Sequence, residues 1–399
     1  MKRSMDFDAR EYDTSKMIVV YGASSYGEIA YYLLKKNGLM PDYYCDRAYP
    51  GKNYMGVPVV RPEWFCQHKD DVYVLIASAD YFHEICDSLQ SFGVQNICDM
   101  QWLVENTKID EVSLSKRGRD IYKNVKNYMD VVNQNCDDIN FTRIQYVVSE
   151  RCSLKCKDCT HLMQYYVKPE NIDLEQYKPA FERLLFVTNS ISELRILGGE
   201  PFMNPEMYRL IDWYHDNPKI KSIRIYTNGT IIPNENTLGQ MTRNKVQVRI
   251  SDYGFNKPTI DRFTKVLDER KIVYYVNPYS DWQDAGGLSA RGYAVEKMKS
   301  IFSSCFERNC ITFYRGQLHR CPRSAHAMRL GAMPNISSDY IDFVNYEGTN
   351  EALVAAIKTL LKRDYIQACN YCDGPNRNTQ SIKAAIQVKE PLQFDRYTV

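Results

Sequence analysis

The stretch ERCSLKCKDCTHL, residues 150–162, places Cys152, Cys156 and Cys159 within eight positions and offers no fourth cysteine nearby. It follows the strand-like run FTRIQYVVS. Thiolates are soft ligands that suit zinc or an iron–sulfur cluster. Structural zinc normally takes four protein ligands. A four-iron cube held by only three thiolates keeps one iron open to another ligand, so the missing fourth cysteine reads as part of the chemistry.

Outward from that loop, residues 140–300 alternate between strand-like and helix-like runs. FTRIQYVVS, ISELRILGG, KSIRIYTNG, KVQVRISD and KIVYYVNP read as strands, and LEQYKPAFERLLFVTN, PEMYRLIDWYHDN, ENTLGQMTRN and KPTIDRFTKVLDER suit the helices between them. Repeated βα units predict a full or partial parallel barrel, with its chemistry at the strand ends. Upstream, MIVVYG, DYYCD and DVYVLIAS alternate with SSYGEIAYYLLKKNG and YFHEICDSLQSFG. They predict a Rossmann-like parallel α/β domain over 1–108. One polar-faced helix over 109–139 is expected to join it to the barrel of 140–300. From 301 to 399 the βα rhythm is lost and cysteines return, which predicts a small C-terminal α+β unit.

The 399 residues carry 51 Lys and Arg against 49 Asp and Glu, a net charge of +2, so no field draws the chain to nucleic acid. The opening MKRSMDFDAREYDTSK holds no apolar core of signal-peptide length, and no run approaches the ~20 apolar residues that span a bilayer. A cytoplasmic protein without a membrane partner is expected. There its thirteen cysteines would stay reduced, which makes metal a better explanation than disulfides. Eight of them cluster, at 152, 156, 159, 305, 310, 321, 369 and 372. The other five, Cys45, Cys66, Cys86, Cys98 and Cys136, are expected as small buried thiols.

Over roughly residues 140–300 the Cys152-x3-Cys156-x2-Cys159 loop after the first barrel strand resembles that of the radical SAM enzymes. The resemblance implies a partial (β/α)6 barrel and a [4Fe-4S] cluster on those three cysteines. It also implies S-adenosyl-L-methionine on the open iron, cleaved by one electron to methionine and a 5′-deoxyadenosyl radical, and an electron donor such as flavodoxin or ferredoxin. ILGGEPFMNPE resembles the family's Gly-Gly-Glu-Pro motif, which would set Gly198, Gly199, Glu200 and Pro201 beside the methionine amino group. Thr227 and Asn228 in YTNGT, with Ser251 and Asp252 in ISDYG, stand where the family supplies ligands to the ribose and carboxylate. The same peptides are ordinary turn signals. Asp158 departs from the pattern, since the family often has an aromatic residue there that seats the adenine.

In SSCFERNCITFYRGQLHRCPRSAH, Cys305, Cys310 and Cys321 surround an alternating run with Gly316 at its bend, and ACNYCDG adds Cys369 and Cys372. A hairpin flanked by cysteines and closed by a distant Cys-x-x-Cys resembles the auxiliary-cluster domain called twitch. That implies a second [4Fe-4S] cluster on four cysteines, with one of Cys305 and Cys310 spare. A structural zinc ribbon uses the same spacing.

VVYGASSYGEIA sits where a dinucleotide-binding turn would lie, with Asp46 in the place of a ribose-binding acid, but Ser24 replaces the middle glycine. CDRAYPGKNYMGVPVV resembles small Rossmann-like domains of bacterial sugar-modification proteins. The resemblance implies a carbohydrate or nucleotide-sugar substrate, its phosphates meeting amides between Gly22 and Gly27. A docking or purely structural role is the alternative. The expected function is removal of a carbon-bound hydrogen from a hydroxylated small molecule, ending in dehydrogenation, dehydration or epimerisation. His161, Tyr253 and Arg323 are candidate catalytic residues by location. A ribosomal-peptide-modifying enzyme and a non-catalytic, metal-stapled binding protein are the alternatives.

Overall fold

Each of the five runs read as barrel strands forms one in the computed structural model, which describes residues 4–47, 51–79, 81–123, 125–133, 138–376 and 378–397. Asn140–Ser149, Ser190–Gly198, Ile223–Thr227, Val246–Asp252 and Tyr274–Pro278 lie parallel in chain order. Alternation sets their two faces. Ile144, Tyr146, Leu194, Ile196, Ile225, Val248 and Ile250 form one core with Phe181, Leu184, Leu210, Ile211 and Phe263 of the intervening helices. Helices start where a side chain can take an orphan amide: Asp173 accepts from the Gln176 N–H at 3.2 Å and Asn234 from that of Thr237 at 2.9 Å.

The sixth parallel strand, Ile311–Tyr314, does not follow the fifth. It pairs with the first, on the sheet edge away from Tyr274–Pro278, with Thr312 opposite Gln145. Gln317–His319 and Tyr340–Asp342 then add antiparallel strands, making eight in one sheet. The hairpin expected within a separate C-terminal unit is therefore an extension of the barrel sheet. Its turn places Arg315 at φ 49° and Gly316 at φ 76°, the left-handed pair that a two-residue hairpin needs. Beyond the sheet, Leu162, Leu288, Met298, Ile301, Phe302, Met328 and Ile366 form a smaller core of their own.

The chain divides into two units, Met1–Asp138 and Ile139–Val399. The first holds a seven-stranded sheet in which Asn96–Asp99, Val72–Ile76, Met17–Tyr21, Tyr43–Cys45 and Val57–Val60 run parallel in that spatial order. The segment 109–139 is not one joining helix. It breaks into a turn at Glu111–Ser113 and two short helices, Lys116–Tyr122 and Lys126–Val132. Ser115 starts the first by accepting from Gly118 N–H at 3.0 Å, and Tyr128 on the second is buried, donating to Ile76 O at 2.6 Å. These residues complete the first unit's core. Cys45, Cys86 and Cys98 are buried as expected, but Cys66 is exposed, and Cys136 lies outside the described residues. Among the described residues no helix is long and apolar enough to cross a membrane.

Candidate active site

The cysteine loop begins where the first strand ends, and the second strand runs on beside it. Gly199 N–H donates to Ser149 O at 2.8 Å and Glu200 N–H to Arg151 O at 2.8 Å. A Cβ on Gly198 would stand 2.2 Å from Ser149 O, and one on Gly199 would stand 2.3 Å from Arg151 O and 2.9 Å from Cys152 Cβ. The two glycines thus let their strand press against the chain that carries the first cysteine. Glu150, fully buried, anchors the other side of the loop through Tyr314 and Arg315, with Arg329 at 3.2 Å.

Glu200 is also fully buried. One of its oxygens accepts from Thr227 Oγ1 at 2.8 Å and Phe202 N–H at 3.2 Å, the other from Asn228 N–H at 2.8 Å. It ties the second strand end to the third. Burial raises its pKa to about 7 against these hydrogen bonds. Asn228 reaches back to the loop, with Nδ2 at 3.1 Å from Ser153 Oγ and 3.7 Å from Cys152 Sγ. Asp252 accepts from Gly254 N–H at 2.8 Å, which is turn chemistry, while Ser251 bonds to the Tyr253 side chain. The Tyr253 ring packs among Phe255, Tyr279 and Trp282. Its hydroxyl is near enough to Cys156 and Cys159 to feel their charge.

The three thiols share one neighbourhood, since Cys156 and Cys159 each act on Cys152. Burial pushes their pKa values up, that of Cys156 to about 11. Pro201, 3₁₀-helical and buried, closes the wall next to Glu200. A residue that sequence reasoning missed completes the loop. Gln387 donates from Nε2 to Cys156 Sγ at 3.1 Å and accepts from Lys155 N–H at 2.8 Å. Lys157 N–H donates to Ile386 O at 2.7 Å and Val388 N–H to Lys155 O at 2.9 Å, so the C-terminal segment pairs with the loop as a short strand. Nothing in the local sequence marks Gln387, because its partner is 231 positions away. Three soft donors, with amide N–H groups aimed at two sulfurs, fit an iron–sulfur cluster.

The second cysteine group sorts itself. Cys305, Cys321, Cys369 and Cys372 all line one pocket, together with Arg323 and Glu307. Cys310 does not line it; it is buried beside Glu307, Arg195 and Arg143. Of the five C-terminal clustered cysteines, Cys310 is thus the one outside that pocket. Among the described residues no three His, Cys, Asp or Glu side chains converge tightly enough to grip a single ion, so these thiols wall a space rather than meet at a point. Arg323 donates to Gly286 O at 2.5 Å and Gly287 O at 3.0 Å, and its charge reaches Cys159. His161 also lies on the side of Glu307, its ring 5.7 Å from that of His326. His161 and Arg323 thus sit between the two thiol groups, and Tyr253 lies on the barrel side of the first.

In the first unit Asp46 is engaged by the glycine turn itself, accepting from Ala23 N–H at 3.0 Å. A Cβ on Gly22 would meet Ala77 O at 2.6 Å, and one on Gly27 would meet Gly22 O at 2.1 Å. These glycines serve close packing of the turn.

No family model matches the chain. It is 28% identical over 143 residues to GTP 3′,8-cyclase of Clostridium acetobutylicum, covering 35% of this chain and 42% of that protein. To the protein of the same name from Syntrophomonas wolfei it is 29% identical over 102 residues, 24% of this chain and 28% of the relative. The cysteine loop and the Gly-Gly-Glu-Pro wall join these matches in one reading. These matches support the radical SAM reading of the loop. The chain spans less than half the length of these relatives. Among solved structures, it overlaps that described as native anSMEcpe with bound AdoMet at TM-score 0.36 and 13% identity, over 59% of this chain and 89% of that one. It overlaps BtrN in complex with AdoMet and 2-DOIA at TM-score 0.34 and 16% identity, over 63% and 98%.

Proposed function

We propose that the chain is a radical SAM enzyme acting on a hydroxylated small molecule, a sugar or nucleotide-sugar. The observation that carries the reading is the loop of Cys152, Cys156 and Cys159, backed by Gly198–Pro201, while four of the other five clustered cysteines, Cys305, Cys321, Cys369 and Cys372, line a separate pocket. Bound there, a [4Fe-4S] cluster and S-adenosyl-L-methionine would supply a carbon radical able to take a hydrogen atom from the substrate.

The protein's own residues orient and exclude. Glu200 locks the second and third strand ends together, which fixes Thr227 and Asn228 beside the loop. Asn228 and Gln387 direct N–H groups at Cys152 and Cys156 and would stabilise charge on those sulfurs. The aromatic group of Tyr253, Phe255, Tyr279 and Trp282 offers an apolar wall beside the loop. Such a wall keeps water from a reactive intermediate. Cys305, Cys321, Cys369 and Cys372 would hold an auxiliary cluster, with Arg323 between it and the first site.

Anaerobic reconstitution with iron and sulfide, followed by reductant and S-adenosyl-L-methionine, tests the proposal. Release of 5′-deoxyadenosine is expected, and its loss on replacing any of Cys152, Cys156 or Cys159 by alanine. Zinc in both sites with no cofactor cleavage would leave a metal-stapled binding protein instead.

A further inference from the structure

The polar face of the barrel sheet has a charge imbalance that the cofactor reading leaves unused. Strand alternation brings Arg143, Arg195, Arg224 and Arg249 from four successive strands to one side. The register sets Gln145, Arg195, Arg224 and Gln247 in one row, and Tyr226, Arg249 and Tyr275 in the next. The row after that, toward the strand ends, carries Ser251 and Asn277. Ser251 is thus two residues, or ~7 Å of strand, beyond Arg249.

Against Arg195, Arg224 and Arg249 stands, among the described residues of these strands, one carboxylate on that face, Glu193. It pairs with both Arg195 and Arg224, accepts from Tyr226 OH at 3.1 Å, and feels the charge of Arg143. Burial pushes its pKa up, yet the three guanidiniums together hold it below the usual value. Glu307 lies by Cys310 and lines the pocket of the other four thiols. Arg249 makes no ion pair among the described residues. It lies over the Tyr275 ring at 3.9 Å, and burial together with Arg224 pushes its own pKa down. Among the described residues, Arg224 Nε and Gln247 Oε1 are buried without a hydrogen-bond partner. Half-buried guanidiniums that outnumber their counter-ions, with an unsatisfied N–H among them, call for an anion.

We propose that this arginine face binds the phosphate or diphosphate of the substrate, with Arg249 and Arg224 as its principal ligands. A guanidinium fork matches two phosphate oxygens at once. Anchored there, a phosphorylated sugar extends along the strands toward Ser251 and the cysteine loop, so that the anion sets which carbon is presented. The proposal rests on the functional reading above for the place of reaction, but the binding site itself is testable apart from it.

Inorganic pyrophosphate serves as the probe, titrated calorimetrically into the full-length protein without reductant or S-adenosyl-L-methionine. Saturable binding that weakens with added salt is expected, falling at least tenfold in Arg249→Met and recovering in part in Arg249→Lys. Arg249 holds no carboxylate, so this variant should melt as the wild type does; Arg224→Met, which also frees Glu193, is the second variant. No binding at 10 mM, or equal binding in wild type and Arg249→Met, overturns the proposal and leaves the arginines as barrel filling. The release of 5′-deoxyadenosine is scored separately, so failure of the anion site and failure of the radical chemistry remain distinct.

Discussion

Glu200 shows how one side chain can serve both fold and site. Its carboxyl is fully buried, and burial raises its pKa to about 7 from 4.5. A carboxyl whose folded pKa lies above its unfolded value binds a proton more tightly in the native state. Its contribution is therefore complete below the unfolded value and is lost as pH rises through the folded one. In iron-free protein, stability from this group should fall by on the order of 3 kcal/mol between pH 4.5 and 7. Urea melts across that window should show the slope in wild type and lack it in Glu200→Gln; equal slopes would mean the carboxyl is solvated. The spare cysteine is a second residue-scale matter. Cys310→Ala should keep the full iron content of the reconstituted protein, whereas Cys305→Ala should lose the iron of the auxiliary pocket, since of these two Cys305 alone lines it. Sequence spacing left that choice open because both thiols precede the same hairpin. The fold separates the two by placing Cys310 near Arg195 and Arg143, outside the pocket.

At the scale of elements, the site is the meeting of two strand ends and a returning tail. Gly199→Ala would drive a methyl group to 2.3 Å from Arg151 O, a contact with backbone that no rotamer relieves. The expected cost is about 1–3 kcal/mol, read as a lower urea midpoint at unchanged slope. The tail acts by hydrogen bonding. Gln387→Leu removes the N–H aimed at Cys156 Sγ while keeping the apolar bulk, so the reconstituted first cluster should bind yet show a more negative reduction potential by electron-spin-resonance titration. An unchanged potential would reduce Gln387 to a clasp for the loop. The strand ends were legible because their motifs are local: Cys152 to Cys159 and Gly198 to Pro201 each lie on one turn of chain. Gln387 was not, because a lone glutamine has no pattern. The arginine face lay in plain view yet unread, since Arg195, Arg224 and Arg249 stand at the alternate, non-aliphatic positions of ISELRILGG, KSIRIYTNG and KVQVRISD.

At the scale of the molecule, the two units draw stability from different sources. Residues 1–138 bury a continuous aliphatic and aromatic core under a parallel sheet, with Cys45, Cys86 and Cys98 inside it as plain apolar groups. The barrel likewise rests on its own helix-covered face. The stretch from Leu288 onward, outside the strands, has the least to bury: its core of Leu162, Met298, Ile301, Phe302, Met328 and Ile366 closes around Cys369 and next to the pocket of thiols. Residues 301–399 were expected as a unit of their own, because the βα rhythm stops there. The sheet instead absorbs their hairpin through backbone pairing of Ile311–Phe313 with Ile144–Tyr146, a contact no local pattern announces. A small core walled by four thiols should depend on what those thiols bind, since metal binding that needs a formed site adds directly to folding free energy. Hydrogen exchange of the protein before and after anaerobic loading with iron and sulfide should therefore slow selectively at 152–166, 301–310 and 366–374. Exchange in the sheet of residues 17–99 should stay as it was. Protection spread evenly over both units would mean that the clusters stiffen the whole chain, and none at 366–374 would mean that the second thiol pocket takes no metal.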